Sequence, residues 1–108
     1  MSGADHMMNS LERARREEIR WRLLVGLDAG RPYPVNERIL FRLLHDVQLP
    51  LTPNELRREL DYLKDRGLVS LVGEAENDWN AELTRHGVDV VEYTVDCQPG
   101  IARPPHNR

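Results

Sequence analysis

The chain has 108 residues, 40% of them hydrophobic and 31% charged, with a formal net charge of −3. That is enough apolar material for one packed core, too little length for two, and too little net charge for a disordered chain. No apolar run approaches the ~20 residues that span a bilayer and no secretory-type apolar stretch opens the sequence, so a cytoplasmic protein with no membrane contact is expected. Cys97 is the only cysteine, which excludes an internal disulfide and a cysteine-rich zinc site.

Residues 1–8 carry no periodicity, and Met7-Met8 after His6 reads as a start behind a vector-derived remnant. They are expected to be disordered, leaving 9–96 as the domain. Ser10 can cap a helix over Leu11 to Ala29, with Ile19, Leu23, Leu24 and Leu27 as its apolar stripe and Gly30 ending it. Its first half interleaves Arg13, Arg15, Arg16, Arg20 and Arg22 with Glu12, Glu17 and Glu18, the pattern of a solvated face. Arg31-Pro32-Tyr33-Pro34 cannot continue a helix and reads as a connector. Asn36 then suits an N-cap, Val35 and Leu40 a hydrophobic staple, and Ile39, Leu40, Leu43, Leu44 and Val47 a second buried stripe.

The third helix is announced most clearly. Thr52 and Glu55 form a capping box, Pro53 takes the first helical position, and Leu51 can staple to Leu56. Leu56, Leu60 and Leu63 share one face, and Gly67 is the left-handed terminator, so the helix is expected from Pro53 to Arg66. The period then becomes alternating: Leu68 to Val72 and Trp79 to Leu83 predict a hairpin turning within Gly73 to Asp78. Trp79, Ala81 and Leu83 should face the core, and Asn80 and Glu82 solvent. Thr84 can cap a last helix carrying Val88, Val91 and Val95, although its β-branched residues give it poor propensity. Residues 97–108, with Pro99, Gly100, Pro104 and Pro105, predict an extended tail, disordered or laid along the body.

The succession of two helices, a capped helix, a hairpin and a final helix, with LKDRGLV at 63–69 and ELTRHG at 82–87, resembles the winged helix-turn-helix superfamily over roughly residues 11–95. Residues 36–39, 56–69 and the tail at 99–105 are similar to small regulator-like winged-helix proteins of Mu-like phages and prophages. The resemblance implies a mainly α, α+β fold: a three-helix core, a two-stranded wing and a C-terminal helix. It also implies double-stranded DNA bound through the third helix, a role in transcription regulation, and dimerisation through terminal helices. The same superfamily includes modules that bind only proteins.

On the third helix, Asn54, Arg58, Asp61 and Asp65 lie opposite the leucine stripe, flanked by Arg57, Tyr62 and Lys64. Asn can pair with adenine, and Arg with guanine or phosphate. Asn54, Arg57 and Arg58, supported by Arg38 and Lys64, are therefore the candidate DNA contacts. The alternative is a solvated helix with i,i+4 pairs such as Arg57 with Asp61. Charge is uneven along the chain: residues 10–50 hold 8 Arg against 6 acids, whereas residues 67–98 hold 1 Arg against 7 acids. Glu74, Glu76 and Asp78 crowd the hairpin tip, where phosphate contact would call for Lys or Arg, so the tip should stand away from DNA or face a basic protein partner. A protein-interaction or phage-assembly module is thus the alternative function.

The 14 Arg to one Lys favour phosphate or interface contacts, while a pI near 5.8 is low for a nucleic-acid binder. Val88, Val91, Tyr93 and Val95 offer apolar surface for a homodimer. No enzyme, cofactor or metal is expected. His86 and Asp89 lie one turn apart upstream of Cys97 without a pocket to join them, and His6, His45, His86 and His106 have no ligand spacing.

Overall fold

Ser10 does not start a helix. In the computed structural model, which describes residues 3–106, the first helix, α1, runs Gly3–Gly30. Residues 3–8, expected to be disordered, are its first turns. Once the core-facing half of a helix is anchored, extending it adds one hydrogen bond per residue fixed, and Met7, Met8 and Asn9 contain nothing that stops this. Met7, Met8 and Leu11 remain exposed along the extension.

The remaining elements are β1 (Val35–Asn36), α2 (Glu37–Asp46), α3 (Pro53–Asp65), β2 (Val69–Val72), β3 (Asn80–Leu83) and α4 (Arg85–Val91). Among the described residues, four helices thus pack with a small antiparallel sheet. Its strand order is β1-β3-β2, three strands where the sequence predicted a hairpin of two. β1 pairs Val35 with Ala81 and Asn36 with Asn80, and two residues are too few to show an alternation in sequence. Asn36 also serves as the predicted N-cap, its side chain accepting from Arg38 N–H at 2.9 Å.

The capping box at Thr52 and Glu55 is formed in both directions, at 2.9 and 3.1 Å. At the other end of α3, Leu68 N–H donates to Leu63 C=O and Gly67 N–H to Lys64 C=O, with Gly67 at φ +76°. That is the Schellman arrangement. α2 ends identically, with Leu49 donating to Leu44 and Gln48 to His45, and so does α4, with Thr94 donating to Asp89 and Tyr93 to Val90. There the left-handed positions are held by Gln48 and Tyr93 instead of glycine. The Tyr93 turn stops α4 at Val91, so Val95 lies outside the helix predicted to carry it.

The core gathers Ile19, Leu23, Leu24 and Leu27 of α1, Leu40 and Leu44 of α2, Leu56, Leu60 and Leu63 of α3, and Leu68, Val69, Ala81 and Val90 from the sheet and α4. Ala81 is buried and Glu82 exposed, as the alternation predicted, whereas Trp79 is half-buried just before β3. Asn80 is half-buried because Asn36 Nδ2 donates to its side chain at 3.1 Å.

Among the described residues the tail has no helix or strand but is tied down. Ala102 N–H donates to Glu17 C=O, Arg20 Nη1 to Gly100 C=O at 2.9 Å, and Arg103 Nη1 to the carbonyls of Val90 and Val95. Arg20 also pairs with Glu59 of α3 at 2.6 Å, both side chains largely buried, and its guanidinium stacks 3.7 Å from the Tyr62 ring centroid. Among the described residues no helix is long and apolar enough to cross a membrane.

Candidate nucleic-acid interface

Five side chains were singled out as DNA contacts, and the fold treats them in three different ways. Arg57 is not presented to a partner. Its Nε and Nη2 grip both oxygens of Glu37, at 2.7 and 2.6 Å, and it donates to the side chain and carbonyl of Asn77, at 2.5 and 3.2 Å. Its guanidinium also lies 5.0 Å from the Trp79 ring centroid. Glu37 is fixed in turn, accepting from Trp79 N–H at 3.0 Å while its own N–H donates to Trp79 C=O at 2.9 Å. Arg57 therefore joins α3 to the start of α2 and to the β2–β3 loop, so the donors expected to meet DNA are engaged within the chain. The predicted pairing with Asp61 loses to Glu37 because that carboxylate is already held in place by the Trp79 amide.

These contacts set the local titration. The Arg57 guanidinium, with help from the Trp79 amide, holds the Glu37 carboxyl below its ordinary value, and Glu37 in turn raises Arg57. Asp78 is lowered chiefly by the amide of Asn36 and further by Arg38. A carboxyl depressed in the folded state stabilises the fold above its unfolded value, and that contribution disappears as pH falls through the folded value. Stability should therefore decline below the ordinary values of 4.5 for Glu and 3.8 for Asp. In Glu37→Gln the acid slope should be shallower than in wild type. Urea midpoints measured from pH 6 to pH 3 check this; parallel profiles for the two proteins would contradict it.

Arg38 and Lys64 are exposed but engaged. Arg38 Nη1 pairs with Asp78 at 3.1 Å and Lys64 Nζ with Glu74 at 3.3 Å. The acidic loop between β2 and β3, expected to stand away from DNA or to face a basic protein partner, thus meets basic groups of its own chain. Glu76 makes no ion pair among the described residues.

Asn54 and Arg58 are exposed one turn apart on the first half of α3; neither side chain makes a hydrogen bond or salt bridge among the described residues, although the charge of Arg58 helps to lower the Glu55 carboxyl. Asp61 and Asp65 follow on the same exposed side. Arg42, which the sequence reading passed over, is also exposed and without an ion pair among the described residues; its i,i+4 spacing from Arg38 on α2 was the available signal. Between α2 and α3 lies a groove of about 350 Å³, with Phe41, Pro53 and Leu56 among its lining and Arg38, Arg42 and Arg57 beside them.

The expected dimer surface is differently disposed. Val88 is buried in the chain's own core and Val91 half-buried. Tyr93 is covered by the tail: its OH donates to Pro104 C=O at 2.7 Å, His106 stacks on it at 4.7 Å, and Arg103 lies 4.4 Å from its ring centroid. Val95 alone of the four is exposed. The four therefore form no continuous exposed apolar patch, because Val88 is buried and the tail covers Tyr93.

His86 and Cys97 line one crevice of about 10 Å³, room for no more than a water. Burial pushes the Cys97 thiol above its ordinary range, which disfavours the reactive thiolate. Among the described residues no cluster of three His, Cys, Asp or Glu could hold a metal ion. Comparison with protein-family models, with curated proteins and with solved structures gives no match.

Proposed function

We propose that this chain is a DNA-binding domain of winged-helix type, phage-like and acting in transcription regulation, that meets duplex DNA with the exposed sides of α2 and α3, the first half of α3 toward the bases. The observation that carries this reading is the pair Asn54 and Arg58. Both are exposed and their side chains make no hydrogen bond or salt bridge among the described residues, on the opening turns of a firmly capped helix, where a helix entering the major groove brings side chains to base edges. Asn can take adenine and Arg guanine bidentately. Arg42 is exposed and without an ion pair among the described residues, with Arg38 one turn before it, and both can reach phosphate at the side of the same groove. Base contact limited to the first two turns also keeps Asp61 and Asp65 away from the base edges and leaves Lys64, near the end of α3, to the backbone.

The test is titration of labelled mixed-sequence duplex with wild type and variants at two ionic strengths. Arg58→Ala should weaken binding and either reduce the salt slope by about one, if Arg58 holds a phosphate, or relax sequence preference, if it reads a base. Arg57→Ala should instead lower the thermal midpoint, since its donors hold α3 to Glu37 and Asn77. Salt-sensitive binding absent both from wild type and from variants with a neutralised β2–β3 loop would reject the proposal. A second reading then stands on the apolar lining of the α2–α3 groove: Phe41, Pro53 and Leu56 favour a protein partner's side chain over a phosphate backbone.

A further inference from the structure

We infer that the loop between β2 and β3 is an intramolecular competitor that keeps Arg38 and Lys64 off the DNA backbone. The inference rests on the DNA-binding reading above and adds a regulation of that surface. Both cations come from the two helices proposed to face DNA, and both are met by carboxylates from one loop, at 3.1 Å for Arg38 with Asp78 and 3.3 Å for Lys64 with Glu74. A carboxylate oxygen there takes the hydrogen bond and the charge that a phosphate oxygen would take.

The pairing is built into the loop. Asp78 N–H closes the turn on Gly73 C=O at 3.0 Å, and Asn77 N–H donates to Glu74 C=O at 3.2 Å. Gly73 and Asn77 adopt left-handed backbone, at φ +85° and +58°. Arg57 then bolts Asn77 to α3. With that residue fixed, Glu74 on one side of it is delivered to Lys64 and Asp78 on the other to Arg38. A second bond from Asn36 Nδ2 at 2.9 Å steadies Asp78 further.

The two ion pairs differ from the one at Arg57 in being displaceable. Side-chain exposure is 77% and 51% for Arg38 and Asp78, against 24% and 12% for Arg57 and Glu37. Exposed pairs are weak and screened by salt, so a polyanion or a basic partner drawing the loop away can release the cations. Glu76 supplies an internal control: it adds the same charge to the same loop without holding a cation among the described residues. Simple repulsion between loop and phosphate treats Glu74 and Glu76 alike, whereas competition singles out Glu74 and Asp78.

The experiment titrates a labelled mixed-sequence duplex with wild type, Glu74→Gln, Asp78→Asn, the double variant and Glu76→Gln, each at two salt concentrations. The double variant should bind several-fold tighter at low salt, and its salt slope should steepen by about one for each freed cation. Glu76→Gln should stay close to wild type. Adding Lys64→Gln to Glu74→Gln should abolish the gain that Glu74→Gln alone produces, and thermal midpoints establish that each variant is folded. Equal gains from Glu76→Gln and Glu74→Gln, no gain in the folded double variant, or a gain that survives loss of Lys64 would each overturn the competition. Binding by the neutralised variants where wild type shows none would support it. Absence of salt-sensitive binding in every protein would instead remove the DNA-binding reading, and the inference with it.

Discussion

Glu59→Ala is expected to destabilise the fold by about 3–5 kcal/mol, the usual cost of stranding one member of a buried ion pair. Glu59 is the buried charged residue of the core, at 7% exposure, and its oxygen lies 2.6 Å from Arg20 Nε. Without that carboxylate Arg20 cannot simply swing into water. Its guanidinium is stacked on Tyr62 and bonded to Gly100 C=O, and a Cβ at Gly100 would already overlap Tyr62 Oη, so the site has little slack. Removing both charges, as in Arg20→Met with Glu59→Leu, should cost much less than Glu59→Ala alone, because no uncompensated charge is left behind. Urea unfolding of the two proteins checks the order. A single-variant cost near zero would mean that water reaches the pair.

Gly87→Ala sets local preference against packing. Gly87 lies in the first turn of α4, where alanine would be favoured over glycine by about 1 kcal/mol on helix propensity. Yet a Cβ at this position would run into the carbonyl oxygen of Leu68 and crowd a methyl of Leu83. That carbonyl is held by Thr84 N–H at 3.0 Å, and the neighbouring Gly67 carbonyl accepts from Thr84 Oγ1 at 2.6 Å, so the strand cannot retreat without losing the cap of α4. Overpacking against backbone costs typically about 1–3 kcal/mol, and the net change should be destabilising. Gly26→Ala is the instructive contrast, because its Cβ would meet the far end of the Leu43 side chain, which can move. A raised denaturation midpoint in Gly87→Ala would show that α4 shifts freely over β2.

Which features were legible in the sequence follows from how local their causes are. Thr52, Pro53 and Glu55 act within one turn, and Gly67 is the residue most suited to a left-handed cap, so both ends of α3 could be read directly. The C-terminal ends of α2 and α4 could not. Gln48 and Tyr93 accept the same backbone at a cost that only surrounding contacts offset. For Tyr93 those contacts include Trp21, 6.3 Å away between ring centroids, and the tail. The candidate site divides in the same way. Asn54 and Arg58 sit where helical spacing put them. The loss of Arg57 to Glu37, 20 residues earlier, and the capture of Arg38 and Lys64 by the loop depend on how β3 aligns against β1 and β2. Those partners lie 20, 40 and 10 residues apart for Arg57, Arg38 and Lys64, beyond the three- and four-residue spacings that helical periodicity can read.

The tethered tail bears on how the chain breathes. A segment without helix or strand would ordinarily exchange its amide hydrogens within the time of mixing, but the Ala102 amide is bonded to α1 at Glu17, the Gly100 carbonyl accepts from Arg20 of α1, and Arg103 donates to the carbonyls of Val90 and Val95. Its opening requires the release of α1, α3 and α4 together. Protection at Ala102 should therefore approach that of the helical core, in the same cooperative unit as the leucines of α1 and α3. By that measure residues 100–103 behave as interior structure, although their sequence is that of a linker.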